Sequence, residues 1–301
     1  MLGLGISSSS YITGGPPYSL QLDGNSDHGR VEHHSSLKPT GAITISCWIN
    51  IDAEHGGSGW GFINSGGGLD HDQTVIGSKK VGGWDIRVTY AGTENNPVVK
   101  IKANIRVSNN NIGAADEGYL EVLWGGIVSS TNEATALHEI KDFSGWVHLA
   151  LTYTTSGVAS LYINGNKDLN EGDVDTSATQ TTTGVNGATI VYNDDTKVFI
   201  GADAIGVGDS PQNGLIGGLV DDYAIWSTAL SDAAILSIYN NKHAGFNLAS
   251  ASGNYSSQAS LQAWWRFEEG EGTTVADSSS NNNVMQLINS PSWSDVTSEQ
   301  Q

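Results

Sequence analysis

Acidic side chains are the first residues in this chain that could do chemistry. Glu171, Asp173 and Asp175 fall close together in the run EGDVD, and a pair of carboxyl groups about 5 to 5.5 Å apart is what a retaining glycosidase requires. The run follows the Asn164-Gly165 turn and lies in a polar stretch instead of a half-buried strand. We therefore expect no glycoside hydrolase site here, and no enzyme.

Two further clusters have the residue types of a metal site. Asp70, His71 and Asp72 are consecutive, as are His33 and His34. Neighbouring residues of a strand point to opposite faces, so adjacent side chains rarely hold one ion. We interpret both clusters as solvated loop residues.

Three tryptophans are candidates for an aromatic platform that stacks on a sugar. Trp60, Trp84 and Trp124 each have a glycine neighbour, which would leave a ring face open. The alternative for each is a place in the core, where most tryptophans of a β-sandwich lie. Cys47 is the single cysteine, and its place in a strand pattern predicts a buried, inert thiol and no disulfide.

The charge of the chain restricts its partners. Lys and Arg total 13 against 32 Asp and Glu among 301 residues, which gives a formal charge of -19. Such a surface repels nucleic acid and anionic membranes and attracts cations. No window approaches the roughly 20 apolar residues of a membrane span. Residues 1–18 contain no Lys or Arg and no apolar run of signal-peptide length, so we expect neither membrane insertion nor a recognisable export signal.

Short strands joined by glycine-rich turns dominate the pattern. Residues 145–165 alternate apolar and polar positions in two strands, and residues 43–51 form the clearest half-buried strand. Ser231 is suited to cap a helix over about 232–241, with Asp232 at its positive end. We expect residues 1–18 to form a flexible arm or docking segment, and residues 19–301 to form one all-β domain.

These patterned segments together resemble the laminin-G-like branch of the concanavalin A-like lectin/glucanase superfamily. The resemblance implies a jelly-roll sandwich of two antiparallel sheets. It is carried, in chain order, by SLQLDGNSDHGRVEH, ITISCWINI, GWVHLALTYTTSGVASLYINGN, KVFIGAD and GLVDDYAIWSTALSDAAILSIY.

The tail resembles the segment that usually begins such a module. It reads WWRFEEGEGTTVADSSSNNNVMQLINSPSW, yet it stands near the C-terminus. Either the jelly roll is circularly permuted and residues 261–301 complete it, or the tail starts a truncated second module. We favour permutation, because Trp264, Trp265 and Phe267 would expose much apolar area as a stub, at on the order of 2 to 3 kcal/mol for each ring.

The resemblance also implies candidate metal ligands. Asp23, Asp27, Asp221 and Asp277 match recurrent acidic positions of the family, some of which are associated with bound calcium. Calcium takes six to eight oxygen ligands, and acidic loops can supply several of them. The alternative is that these carboxylates cap turns by accepting backbone N–H groups. Relatives of this fold that hydrolyse β-glucans commonly carry a Glu-x-Asp-x-(x)-Glu run, and the run at Glu171 lacks its final Glu.

The acidic module behind an MLGLG start is also similar in style to virion structural proteins of marine tailed bacteriophages. That likeness predicts a non-enzymatic virion protein, such as a capsid decoration, head fibre or tail appendage. Residues 1–18 would dock to other virion proteins, and the exposed loops would contact host-surface glycans. The alternative is a free or cell-surface, extracellular lectin that depends on calcium. The oligomeric state stays open, a homo-oligomer included.

Overall fold

The computed structural model describes residues 18–51, 71–77, 83–93, 96–107, 118–124, 146–167, 179–181, 189–192, 197–202, 215–241 and 246–295. Within these ranges the chain forms sixteen strands and one α-helix. In chain order they are β1 (Tyr18–Asp23), β2 (His28–Val31), β3 (Ile43–Ile51), β4 (His71–Gly77), β5 (Trp84–Thr93), β6 (Asn96–Val107), β7 (Gly118–Trp124), β8 (Val147–Tyr153), β9 (Val158–Ile163), β10 (Thr179–Thr181), β11 (Val198–Ile200), β12 (Gly217–Trp226), α1 (Asp232–Asn240), β13 (Leu261–Trp265), β14 (Thr274–Val275), β15 (Met285–Ile288) and β16 (Ser292–Asp295).

The strands form two antiparallel sheets of eight strands each. Sheet A has the order β10-β9-β8-β3-β12-β1-β16, and β13 also pairs with β12. Sheet B has the order β14-β15-β2-β11-β4-β5-β6-β7. The predicted fold class, a two-sheet jelly-roll sandwich with one short helix, is confirmed.

Strand alternation directs one face of each sheet into a shared core. Ile43, Ile45 and Ile49 of β3 are buried there, while Thr44 and Ser46 lie on the opposite face. Cys47 is fully buried in the same row, as predicted, and burial raises the pKa of its thiol well above the ordinary value. This thiol is therefore protonated and inert at neutral pH.

The outer face of sheet A is covered by a second apolar cluster. Ile235 and Ile238 of α1 pack there with Trp226 and Tyr255. The helix begins where the sequence predicted it, because the Ser231 hydroxyl accepts the backbone N–H of the third residue beyond it at 3.2 Å. Within the described residues no helix is long and apolar enough to cross a membrane.

The last strands belong to both sheets and lie against the first ones. β16 pairs with β1, and β15 pairs with β2. Trp265 and Phe267 are fully buried in the core. The described part of the tail is thus integrated into the sandwich, and its origin by circular permutation stays a prediction.

Candidate functional site

The outer face of sheet B carries charged side chains, in contrast to the sealed outer face of sheet A. On β2, Val31 enters the core, so the alternate residue Arg30 lies on the outer face. The Glu32 carboxylate contacts both Arg30 Nε and Lys197 Nζ at 3.2 Å. The side chain of Glu32 is 59% exposed, whereas those of its two partners are 22% and 19% exposed. This trio is an accessible hydrogen-bonding group with one more positive than negative charge.

A row of paired residues extends from this trio across sheet B. Arg30 lies opposite Phe199 of β11, which lies opposite Gly77 of β4, which in turn lies opposite Asp85 of β5. Three strand spacings separate the ends of this row, about 14 Å. The Phe199 ring is buried and lies 6.1 Å from the His28 ring, centre to centre. The row combines cationic, aromatic and acidic residues.

A buried ion pair lies at the far end of the row. Arg87 Nη2 donates to Asp85 Oδ2 at 3.2 Å, and the two side chains are 7% and 1% exposed. Trp84 and Ile86 alternate with them and enter the core, which puts the pair on the outer face of the sheet. Our sequence analysis missed this pair. The available signal was an Asp and an Arg two residues apart among alternating core residues.

His28 begins β2 beside the same row. Its Nδ1 lies 3.0 Å from the carbonyl oxygen of Ser26, and its buried Nε2 has no hydrogen-bond partner among the described residues. Burial lowers the pKa of His28, and the positive charge of Arg30 acts in the same direction, against the opposing effect of the Ser26 carbonyl. The imidazole is therefore neutral at neutral pH.

Asp23 closes a tight turn after β1. Its Oδ1 accepts the backbone N–H groups of Asn25, Ser26 and Asp27 at 2.8, 2.8 and 3.0 Å. Partial burial acts to raise its pKa, but these donors outweigh burial, so the pKa lies below its usual value. Asp23 therefore caps the turn, which is the alternative to calcium binding that the sequence allowed.

Asp27 has the opposite electrostatic environment in that turn. Burial, with the negative charge of Asp23 as a second cause, raises the pKa of its carboxyl to about 6. Two carboxylates this close repel each other when both are ionised, which a bound cation or a proton would relieve. Asp23 and Asp27 are therefore the pair that best fits a cation among the four predicted ligands.

Asp221 and Asp222 lie at a bulge of β12. Asp221 is buried, and burial, reinforced by the charge of Glu268, raises its pKa well above the usual value. Asp222 has a positive φ of 47°, and its Oδ1 accepts a hydrogen bond from Trp264 Nε1 at 2.9 Å. The Arg266 guanidinium lies 5.1 Å from the centre of the Trp264 ring. These contacts fasten β12 to the start of the tail.

Asp277 anchors the loop between β14 and β15. Its Oδ1 accepts the backbone N–H groups of Trp264 and Ser279 at 2.9 and 2.8 Å. Its Oδ2 accepts the Ser279 hydroxyl and the Asn283 backbone N–H, both at 2.8 Å. Both oxygens are thus occupied by protein donors, which fits a loop anchor and does not fit a calcium ligand.

The four predicted ligands do not converge on one ion. Asp23 lies opposite Gly217, four residues along β12 from Asp221, or about 13 Å. In the part of the chain that the structure describes, no three His, Cys, Asp or Glu side chains come together as a metal-binding group. Calcium binding stays a prediction, restricted by these contacts to the Asp23 and Asp27 pair.

The tryptophan candidates have different outcomes. Trp84 is fully buried in the core, so the prediction of a sugar-facing ring was wrong for this residue, because its strand directs it inward. Trp60 lies outside the described residues. Trp124 ends β7 opposite Ile101, and its side chain lies outside the described part of the structure.

The remaining candidates bear on catalysis and on histidine chemistry. Glu171, Asp173, Asp175 and Asp70 lie outside the described residues, whereas His71 and Asp72 begin β4. His33 and His34 are exposed, in keeping with solvated loop residues. His148 Nε2 lies 2.8 Å from Ser46 Oγ in a fully buried contact, which gives His148 a structural role.

Comparison with known proteins identifies the family. The Laminin_G_3 family, described as concanavalin A-like lectin/glucanases superfamily, matches residues 23–236. No curated protein matches the sequence.

Solved structures share the fold at low sequence identity. A protein of Bacteroides ovatus ATCC 8483 with an inferred carbohydrate-binding role superposes with a TM-score of 0.53 at 16% identity, over 93% of this chain and 60% of that protein. The heptameric SAP-like pentraxin of Limulus polyphemus has a TM-score of 0.41 at 11% identity, over 74% of this chain and 82% of the pentraxin. The binding domain of botulinum neurotoxin DC in complex with SialylT has a TM-score of 0.37 at 16% identity, over 67% of this chain and 36% of the other.

The chain thus spans about 60% of the length of the Bacteroides ovatus protein, and that likeness shows the fold. The family match covers well over half of the sequence and includes β2 to β12. The chain belongs to the Laminin_G_3 family of the concanavalin A-like lectin/glucanase superfamily.

Proposed function

We propose that this chain is a non-enzymatic, glycan-binding module that uses the outer face of sheet B. The supporting observation is the difference between the two outer faces. Sheet A is sealed by α1 and an apolar cluster, whereas sheet B presents Arg30, Glu32 and Lys197. Family membership and the inferred carbohydrate-binding role of the Bacteroides ovatus protein point in the same direction.

The trio on sheet B has the chemistry that sugar hydroxyl groups require. A carboxylate accepts two hydroxyl hydrogen bonds, and flanking guanidinium and ammonium groups donate to ring and hydroxyl oxygens. Glu32 is held by two cations, so its carboxylate is oriented before a ligand arrives. Preorganisation of this kind lowers the entropic cost of binding.

The buried Asp85–Arg87 pair supports the same face. Burying two charges costs several kcal/mol of solvation per ion, and such pairs are weak sources of stability. A buried charged pair on the outer face of a sheet is therefore better explained by positioning neighbouring groups than by folding energy. We assign it the role of holding the outer row of sheet B in place.

A matched pair of variants tests this function. The protein is applied to an array of neutral and acidic glycans as wild type, Glu32→Gln and Glu271→Gln. Glu271 is an exposed acid in a turn of the tail and serves as the charge-matched control. Binding that is lost with Glu32→Gln and kept with Glu271→Gln supports the proposal. Equal binding by both variants would refute the assignment of the site to sheet B. Absence of binding to any glycan on the array would refute the glycan-binding function.

Calcium-dependent binding is the second candidate, and the Asp23–Asp27 turn is the observation that favours it. Asp23 Oδ1 accepts three backbone N–H groups, whereas its Oδ2 accepts the Ser26 hydroxyl at a longer 3.4 Å. Calcium would therefore displace the hydroxyl from Oδ2 and use the Asp27 carboxylate as its second ligand. Calcium there would fix the turn. Isothermal titration with calcium alone tests this: Asp27→Asn should abolish the heat of binding, and wild type without measurable binding would refute it.

We further propose that the module is displayed on a virion through residues 1–18. The first strand begins at Tyr18, so removing residues 1–17 deletes no described strand. The truncated chain should keep the unfolding midpoint of the full chain but fail to enter particles. Incorporation of the truncated chain at the normal level would contradict docking through this segment.

A further inference from the structure

Two strands of the tail extend the outer face of sheet B beside Arg30. β15 pairs with β2 so that Gln286 lies directly opposite Arg30, and β14 pairs with β15 so that Thr274 lies directly opposite Gln286. The family match ends at residue 236, so both tail strands lie beyond it. The charged trio of the proposed site thus has neighbours from outside the family match.

The alternation of β15 places Gln286 and Val284 on the outer face. Met285 and Leu287 are buried in the core, so the residues that alternate with them point away from it. Gln286 is exposed, and Val284 is 39% exposed. Because β15 and β2 are antiparallel, Val284 lies beside Glu32, one position beyond the last paired residues. An apolar side chain and an amide therefore flank the carboxylate on its tail side.

Exposure on this part of sheet B decreases away from the tail. Glu32 is exposed, whereas Lys197, one strand further from the tail, is half-buried. In the neighbouring row Gln286 is exposed, Arg30 is half-buried and Phe199 is buried. A ligand that approaches this face therefore meets the carboxylate and the tail residues before it meets the two cations.

We propose that Gln286 and Val284 of the tail complete the glycan site around Glu32 and make it specific for an uncharged sugar. This inference rests on the proposed glycan-binding function and names the class of sugar and the residues that select it. A sugar ring presents hydroxyl groups at its edge and C–H groups on its face. The Glu32 carboxylate and the Gln286 amide hydrogen-bond to hydroxyl groups, and the Val284 methyl groups contact the C–H face.

The spacing of these three residues suits a single sugar ring. Neighbouring strands lie about 4.8 Å apart, and alternate residues of one strand lie about 6.7 Å apart. Glu32 and Val284 are separated by one strand spacing, and Val284 and Gln286 are alternate residues of one chain segment. Groups this close together contact one ring instead of successive sugars of a chain.

The distribution of charge favours an uncharged sugar over an acidic one. The most exposed member of the trio is the Glu32 carboxylate, and Arg30 and Lys197 are less exposed and already in contact with it. An incoming carboxylate or sulfate would meet a like charge first, on a protein of net charge -19. A hydroxyl group instead donates a hydrogen bond to that carboxylate.

The test measures binding of the full chain to glycans that end in glucose, galactose or mannose, and to glycans that end in glucuronic acid. Gln286→Ala and Val284→Ala are compared with the controls Asn254→Ala and Leu236→Ala. Asn254 is an exposed amide in a turn outside both sheets. Leu236 is 40% exposed on α1, which matches the exposure of Val284. Equal thermal midpoints establish that all four variants are folded.

We expect wild type to bind at least one of the uncharged terminal sugars more tightly than glucuronic acid. Gln286→Ala should weaken this binding about fivefold, because one hydrogen bond between uncharged groups is lost. Val284→Ala should weaken it about twofold, because part of a small apolar contact is lost. Both controls should bind like wild type, since neither residue lies near Glu32.

Each outcome decides the inference. Loss of binding in Glu32→Gln with unchanged binding in Gln286→Ala and Val284→Ala would overturn the contribution of the tail and leave the glycan-binding function in place. Equal weakening by the two controls would overturn it as well. Tighter binding of glucuronic acid than of the three uncharged sugars would overturn the class of sugar. Absence of binding to every glycan would refute the function on which the inference rests.

Discussion

Replacing Asp277 by Ala separates a loop anchor from a metal ligand. The carboxylate accepts four hydrogen bonds at 2.8 to 2.9 Å, and three of the donors are backbone N–H groups. One donor, the N–H of Trp264, belongs to strand β13, whereas the others lie in the loop before β15. The substitution therefore frees donors on two segments at once.

The expected cost follows from what each donor can do afterwards. A hydrogen bond to a charged group contributes about 1.5 to 3 kcal/mol, and an N–H left unsatisfied in the interior costs about 1 to 3 kcal/mol. The Ser279 donors regain water, because Ser279 is only half-buried, so the N–H groups of Trp264 and of the buried Asn283 account for most of the loss. We expect Asp277→Ala to lower the free energy of unfolding by about 3 kcal/mol.

Urea denaturation followed by tryptophan fluorescence measures this loss, with and without a chelator. Ser280→Ala, an exposed change in the same loop, is the control and should stay within about 0.5 kcal/mol of wild type. The loss in Asp277→Ala should not depend on chelator. If Asp277→Ala unfolds like the control, the hydrogen-bond reasoning is wrong. If chelator destabilises wild type as much as the substitution does and leaves Asp277→Ala unchanged, the residue acts through a metal.

Three further changes test the fold and the acidic turn. Gly201→Ala should lower the free energy of unfolding by about 3 kcal/mol, because Gly201 has a φ of 76° and an added Cβ would collide with a core leucine. The control Gly272→Ala should lower it by about 1 kcal/mol, because Gly272 has a φ of 93° but nothing within 4 Å of an added Cβ. Equal losses in the two variants would contradict the role of the collision. Ser231→Ala removes the cap of α1 and should cost about 1 kcal/mol by urea denaturation, and no loss would argue against the observed cap. Because the pKa of Asp27 is raised from 3.8 to about 6, its stabilising contribution is complete below about pH 4 and is lost as pH rises through 6. Asp27→Asn should flatten the stability profile between pH 4 and 7, and an unchanged slope would refute the assignment.

Local patterning was sufficient to predict most of the fold. The alternation in residues 43–51 and 147–163 has the period of a half-buried strand, and these segments are β3, β8 and β9. The start of α1 was equally accessible, because a Ser followed by Asp is a local signal. Such features depend on neighbours in sequence, which is why they could be predicted.

The candidate site was much less accessible to the same reasoning. The contacts of Glu32 include Lys197, 165 residues away, and only strand pairing brings them together. Trp84 was misassigned because its glycine neighbour indicated exposure, whereas the phase of β5 directs it inward with Ile86. For Asp277, the sequence allowed either calcium or backbone donors, and only the folded loop shows which donors reach its oxygens.

The two outer faces of the sandwich differ in the side chains that they carry. Sheet A buries apolar side chains on both faces, so its outer surface is occupied by α1 and by residues of the tail. Sheet B has apolar side chains on its core face and charged residues, with a buried ion pair, on the other. Charged groups at an outer face must find partners in the protein, in water or in a ligand, because isolated buried charge is costly. We therefore propose the part of the outer face of sheet B around Arg30, Glu32 and Lys197 as the recognition surface.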